Sequence, residues 1–201
     1  MKSLILLNVL VILFVVAACN GLPRPAITDQ ERNNEMATTK QPKPGADEPA
    51  YVTALEAAYG APSQAGFGSA VFFEPAAGED LAQAALEKYK YFSGEQWERW
   101  GEDAWMGPWK EVYARPVGVK PDIVSELHSI ADPDAQNSVP MILDVVQGAD
   151  KARVALAAAY DDPAVTELRV FNLGDGGAMS GLLVAARRDT GETTFLVFLL
   201  D

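Results

Sequence analysis

Between residues 51 and 160 apolar positions recur every three or four residues; between 165 and 200 they run in three nearly continuous stretches. The first spacing is that of amphipathic helices and the second that of β-strands. Val52, Leu55, Ala58 and Tyr59 predict a helix that Pro49 opens and Gly60 ends. Residues 69–73 read as a short buried strand closed by Pro75. Leu81, Ala85 and Tyr89, flanked by Ala82 and Leu86, predict a helix over 79–91, and Glu79 and Asp80 suit its positive end. Ser93 and Gln96 have capping-box spacing, which predicts a short helix through Trp100 stopped by Gly101. A brief strand is expected within 112–119, around Pro116, followed by a helix over 121–130. Residues 132–137, with Asp132-Pro133-Asp134, read as a loop. Ser138 reads as the cap of a helix to Gln147, and Gly148 separates that helix from an alanine-rich one over 150–160, so that the two form a hairpin.

After Asp161-Asp162-Pro163 the character of the chain changes. Residues 165–173, 179–188 and 193–200 are rich in strand-forming types, and Asp175-Gly176-Gly177 and Asp189-Thr190-Gly191 have hairpin-turn chemistry. The last run, Phe195 to Leu200, is apolar on both faces. That suits a central strand, or one with helices on one face and a partner on the other. The predicted class is α+β: helices packed on one face of a small antiparallel sheet that ends in a C-terminal three-stranded meander.

The N-terminus follows a different grammar. Lys2 supplies one positive charge, and residues 4–18 are almost wholly apolar, with Asn8 the one interruption. This is too short to span a bilayer, which takes about 20 apolar residues, and has the layout of a secretory signal peptide over 1–18. Val16-Ala17-Ala18-Cys19 resembles the lipobox of bacterial lipoproteins. The resemblance covers about a tenth of the chain. It implies that Cys19 becomes the acylated N-terminus after cleavage, with two or three acyl chains and the membrane as a partner through that lipid. It also implies an address outside the cytoplasm. With Asn20 after the cysteine, such lipoproteins reach the outer membrane of a two-membrane bacterium, or stay on the outer face of a single cell membrane. Cys19 is the only cysteine, so no disulfide is available. Residues 19–46, with Pro23, Pro25, Pro42 and Pro44 among polar side chains, read as the lipidated N-terminus and a disordered tether. A single globular domain is expected over 47–201.

Charge narrows the choice of partner. The formal net charge is −12, and residues 51–201 carry 23 acidic against 11 basic side chains. Phosphate backbones and anionic headgroups repel such a domain. Nucleic acid is therefore not an expected partner, and contact with the membrane is expected through the lipid alone.

Residues 89–113 hold eight of the eighteen aromatics, including Trp97, Trp100, Trp105 and Trp109, interleaved with Glu95, Glu98, Glu102, Asp103 and Glu111. Two readings stand side by side. The indoles could stack on sugars or cage a cation while carboxylates hold hydroxyls or balance charge; or the indoles could simply plug the core. The candidate binding set is Trp97, Trp100, Trp105, Trp109, Glu98 and Glu102.

No catalytic constellation stands out. His128, the one histidine, lies four residues before Asp132, a two-ligand metal set with no third partner. The Gly-rich stretch 172–181 precedes a strand, where dinucleotide and phosphate loops precede a helix. Ser180 has no nucleophile-elbow context. Neither metal nor cofactor is expected. The sequence reads as a lipid-anchored cell-envelope lipoprotein with an acidic, non-catalytic domain for binding an envelope protein or for assembly. Two alternatives are an immunity or inhibitor protein that occludes a basic partner, and a cell-wall glycan-acting enzyme using carboxylates beside the tryptophans.

Overall fold

The computed structural model describes residues 48–201 apart from 77, 79 and 146, and these belong to one compact unit. The signal segment 1–18, Cys19 and the tether over 19–46 lie outside the described residues.

Helix α1 spans Ala50–Tyr59; extended Pro49 starts it, and Gly60, at φ 96°, stops it by donating its N–H to the Glu56 carbonyl. Strand β1 is Gly68–Glu74. Helix α2, Leu81–Ser93, is capped by Asp80, whose carboxylate accepts the Ala82 and Gln83 amides. Short helices α3, Glu95–Trp100, and α4, Glu102–Met106, lead into β2, Lys110–Ala114. Then come α5, Ile123–His128, and α6, Pro133–Pro140. A π-helical turn, Met141–Val145, and left-handed Gly148 lead to α7, Ala149–Tyr160. Strands β3, Val165–Asn172, β4, Ser180–Arg188, and β5, Thr193–Leu200, close the chain.

The sheet has the order β1-β5-β4-β3-β2 and is antiparallel throughout. The α+β class and the C-terminal meander are thus as the pattern predicts. Strand β1 returns across the chain to pair with β5, from Gly68 opposite Leu199 to Glu74 opposite Thr193. That pairing makes β5 central and accounts for its two apolar faces. Helices cover both sides of the sheet, not one. Val71, Val170, Leu182, Val184 and Leu196 belong to a core shared with α1, α5, α6 and α7. Phe72, Phe171, Leu183, Phe195 and Val197 point the other way, into a core shared with α2 and Trp105.

Four local expectations are corrected. Ser93 is not the cap of α3: it is the last residue of α2, its hydroxyl is buried without a partner among the described residues, and Gly94, at φ 54°, starts α3. Strand β2 runs over Lys110–Ala114 and stops before Pro116, the Arg115 amide donating to the Leu168 carbonyl at 3.0 Å just past its end. Residues 133–137 are helical, because Asp132 caps the Ala135 amide and Pro133 sits in the first turn. Ser138 therefore lies inside α6, fully buried, and the first arm of the hairpin runs through α6 and the π-helical turn.

Candidate functional site: the aromatic layer

Tyr89 on α2 is the hub around which residues 89–109 pack. Its ring stacks on Trp109 (centroids 5.6 Å apart, planes at 13°) and meets Trp97 and Trp105 edge-on at 5.5 and 5.9 Å. Trp109 stacks in turn on Phe171 of β3 at 4.6 Å, which ties the cluster to the sheet. Trp105 lies parallel to Trp97 at 5.9 Å and to Trp100 at 5.1 Å. The i, i+3 spacing of Trp97 and Trp100 on α3 puts both rings on the side that meets Trp105. Trp105 is wholly buried, and its indole N–H donates to the Gln96 carbonyl at 3.1 Å.

The layer is graded from core to surface. Tyr89 and Trp105 have no exposed area, Trp97 and Trp109 are half-buried, and Trp100 is 42% exposed. Burial pushes the Tyr89 phenol well above its ordinary pKa, and its hydroxyl has no partner among the described residues. The core-plug reading therefore holds for Trp105, while only Trp100 among the four indoles shows a large surface to solvent. Phe67 packs against that ring at 5.8 Å, and Tyr91, 41% exposed, meets Phe72 edge-on at 5.8 Å.

The carboxylates are arranged differently from what spacing suggests. Gly101, at φ 84°, breaks the helix between Glu98 and Glu102, so the two sit on separate helices and not one turn apart on one. Glu102 accepts from the Lys90 ammonium at 3.0 Å, and that ammonium lies 5.1 Å from the centre of the Trp97 ring. One cation is thus already held between an indole and a carboxylate. Lys90 and Phe67 were not legible as members of the cluster, because both reach it through tertiary packing.

No family model matches this chain, and no characterised protein or solved structure does either.

Elsewhere the candidate residues are not brought into reactive sets. Exposed His128 edges a shallow depression of about 220 Å³ with Leu127, Gln136, Val139 and Pro140. Asp132 is engaged by Lys110 and the Ala135 amide, and the Lys110 hydrogen bond holds its carboxyl below the usual range. Among the described residues no group of three His, Cys, Asp or Glu could hold a metal ion. Ser180 opens β4 and makes no hydrogen bond with His128 among the described residues. The Gly-rich loop is organised by Asp175, whose Oδ1 accepts the Gly177 and Met179 amides at 2.9 Å. Asp134 of α6 lies against Gly176, so two carboxylates stand where a phosphate would be wanted.

Two buried arginines escaped the sequence reading altogether. Arg115 donates through Nε and a terminal nitrogen to both oxygens of Glu126, at 2.6 and 2.7 Å, and to the Tyr160 carbonyl at 2.9 Å. Arg188 lies 3.9 Å from the centre of the Tyr51 ring and pairs with Asp162 at 3.0 Å. Arg115 thereby ties the end of α7 to α5, and Arg188 of β4 ties it to the sheet by donating to the Ala159 carbonyl at 3.2 Å. No helix among the described residues is long and apolar enough to cross a membrane.

Proposed function

We propose that this chain is a lipid-anchored lipoprotein of the bacterial cell envelope whose acidic domain binds a partner and does not transform a substrate. The observation that carries the reading is Val16-Ala17-Ala18-Cys19 at the end of a short apolar run. A small-residue cleavage site followed by the single cysteine is the arrangement that lipoprotein processing requires. Each buried lipid methylene adds about 0.8 kcal/mol, so two or three acyl chains make an anchor that is close to permanent. The domain, at a net −12 over residues 51–201, gains nothing from an anionic membrane surface and stays in the aqueous phase beside it. An acidic surface with one half-exposed indole favours binding over chemistry. The inhibitor reading is supported by the same charge, which would speed encounter with a basic protein.

Cys19→Ser tests the anchor. The variant keeps a folded domain but loses incorporation of an alkynyl fatty acid and leaves its normal membrane fraction. Label retained in the Cys19→Ser protein contradicts the proposal.

A further inference from the structure

Building on the binding reading above, we infer that the outer surface of α3 and α4, centred on Trp100, docks an arginine- or lysine-rich segment of a partner protein. Trp100 has one face stacked on Trp105 at 5.1 Å, Phe67 beside it at 5.8 Å, and 42% of its surface open. Its support is rigid, because Trp105 is fully buried and hydrogen-bonded to the Gln96 carbonyl. An exposed indole on a fixed base offers a large contact at little entropic cost, which is what makes such rings binding anchors.

Charge decides the occupant. Lys88 and Lys90 are taken up by Glu74 and Glu102. That leaves exposed Glu87, Glu95, Glu98 and Asp103 in no ion pair among the described residues, against one such cation, Arg99. The neighbouring Lys90, held 5.1 Å from the Trp97 ring and 3.0 Å from Glu102, demonstrates the chemistry in miniature. An ammonium or guanidinium over an indole, with a carboxylate at its side, is stable here. Trp100 stays open on a surface where Glu95, Glu98 and Asp103 are exposed and in no ion pair among the described residues. A neutral glycan would use the ring but leave the surplus carboxylates without counter-charge, so the cationic polypeptide fits better.

The test titrates the purified full chain in detergent with a hexa-arginine peptide, following tryptophan fluorescence, with chitotetraose as the neutral-glycan comparison. Trp100→Ala weakens peptide binding about fivefold. Because that variant also loses packing on Trp105, Glu98→Gln with Asp103→Asn is run beside it; both residues are exposed, and together they cost roughly fivefold. The control is Asp189→Asn with Glu192→Gln on the β4–β5 turn. That turn adjoins the Glu74–Thr193 end of the β1–β5 pairing, whereas Phe67 adjoins the Gly68–Leu199 end. The control leaves the affinity unchanged. An equal loss in the control would mean a diffuse acidic field with no docking surface, and Trp100-dependent binding of chitotetraose but not of the peptide would assign the ring to glycan. Either result overturns the inference. Peptide binding does not depend on acylation, so loss of the anchor reading with peptide binding intact would leave this surface standing.

Discussion

Glu126→Gln removes one charge from the most deeply buried ion pair among the described residues and keeps the side-chain volume. Arg115 and Glu126 each expose only 7% of their side chains and bond through two parallel contacts at 2.6 and 2.7 Å. Once Glu126 is neutral, the nearest remaining carboxylate is Asp161, 3.7 Å from the guanidinium and itself a quarter exposed. Stranding one member of a buried pair costs about 3–5 kcal/mol, and the partial help from Asp161 places this variant near 3 kcal/mol. For a domain of this size that is a fall in Tm of about 6–12 °C. Arg115→Met with Glu126→Leu removes both charges. It forfeits the 2.9 Å bond to the Tyr160 carbonyl, at about 1–3 kcal/mol, but recovers the desolvation of the pair. The double variant is therefore more stable than Glu126→Gln. Urea unfolding at pH 7, followed by tryptophan fluorescence, gives both numbers. A cost below about 1 kcal/mol for Glu126→Gln would mean the pair behaves like a surface one, and the reasoning would be refuted. A double variant as unstable as the single would refute it equally.

Other variants probe the remaining parts. Trp105→Ala empties the core of the aromatic layer and costs about 3–5 kcal/mol, whereas Trp100→Ala costs well under half of that; equal costs in thermal melts would deny the gradation. Gly181→Ala, whose new methyl would sit 2.6 Å from the Phe198 carbonyl and 2.7 Å from a Leu199 methyl in mid-sheet, destabilises by about 1–3 kcal/mol in the same melts, and an unchanged Tm would count against the β4–β5 register. In acid, two signs oppose each other. Asp162 and Asp175 are held below the usual carboxylate range by backbone amides, of Ala164 for one and of Gly177 and Met179 for the other. The stability they contribute is present above pH ~4 and is lost as the pH falls below it. Asp161 is raised, so its contribution is present below pH ~4 and is lost as the pH climbs through its elevated value. Asp175→Asn therefore flattens the acid loss of stability and Asp161→Asn flattens the mild-acid decline; melts from pH 3 to 7 that overlay wild type after normalisation would contradict both.

The strands of the meander were legible to within a residue, because continuous apolar runs bounded by Asp-Gly turns leave little choice of period or register. Helix α2 was legible for the matching reason: Leu81, Ala85 and Tyr89 fix one buried row, and Asp80 caps it. Chemistry that is shared between motifs misled. Asp132-Pro133 opens a turn as readily as a helix, and Ser93 with Gln96 imitates a cap although Gly94 does the work. Strand β2, with the sequence Lys-Glu-Val-Tyr-Ala, is short, polar and at an edge, so its pairing with β3 left almost no trace in hydrophobic pattern. The second helical layer was missed although the last run is apolar on both faces, because that pattern suits a partner on the second face as well as it suits helices. In the aromatic stretch the composition was visible but the gradation was not. Which indole is buried depends on Tyr89 and Phe171, contacts that no local spacing encodes.

Acylation of Cys19 decides whether the domain is anchored. Intact-mass spectrometry of the mature protein, extracted from membranes of the producing bacterium, reads it directly. The expected mass is that of residues 19–201 plus two or three acyl chains; a polypeptide without acyl groups, or one that still carries residues 1–18, contradicts it.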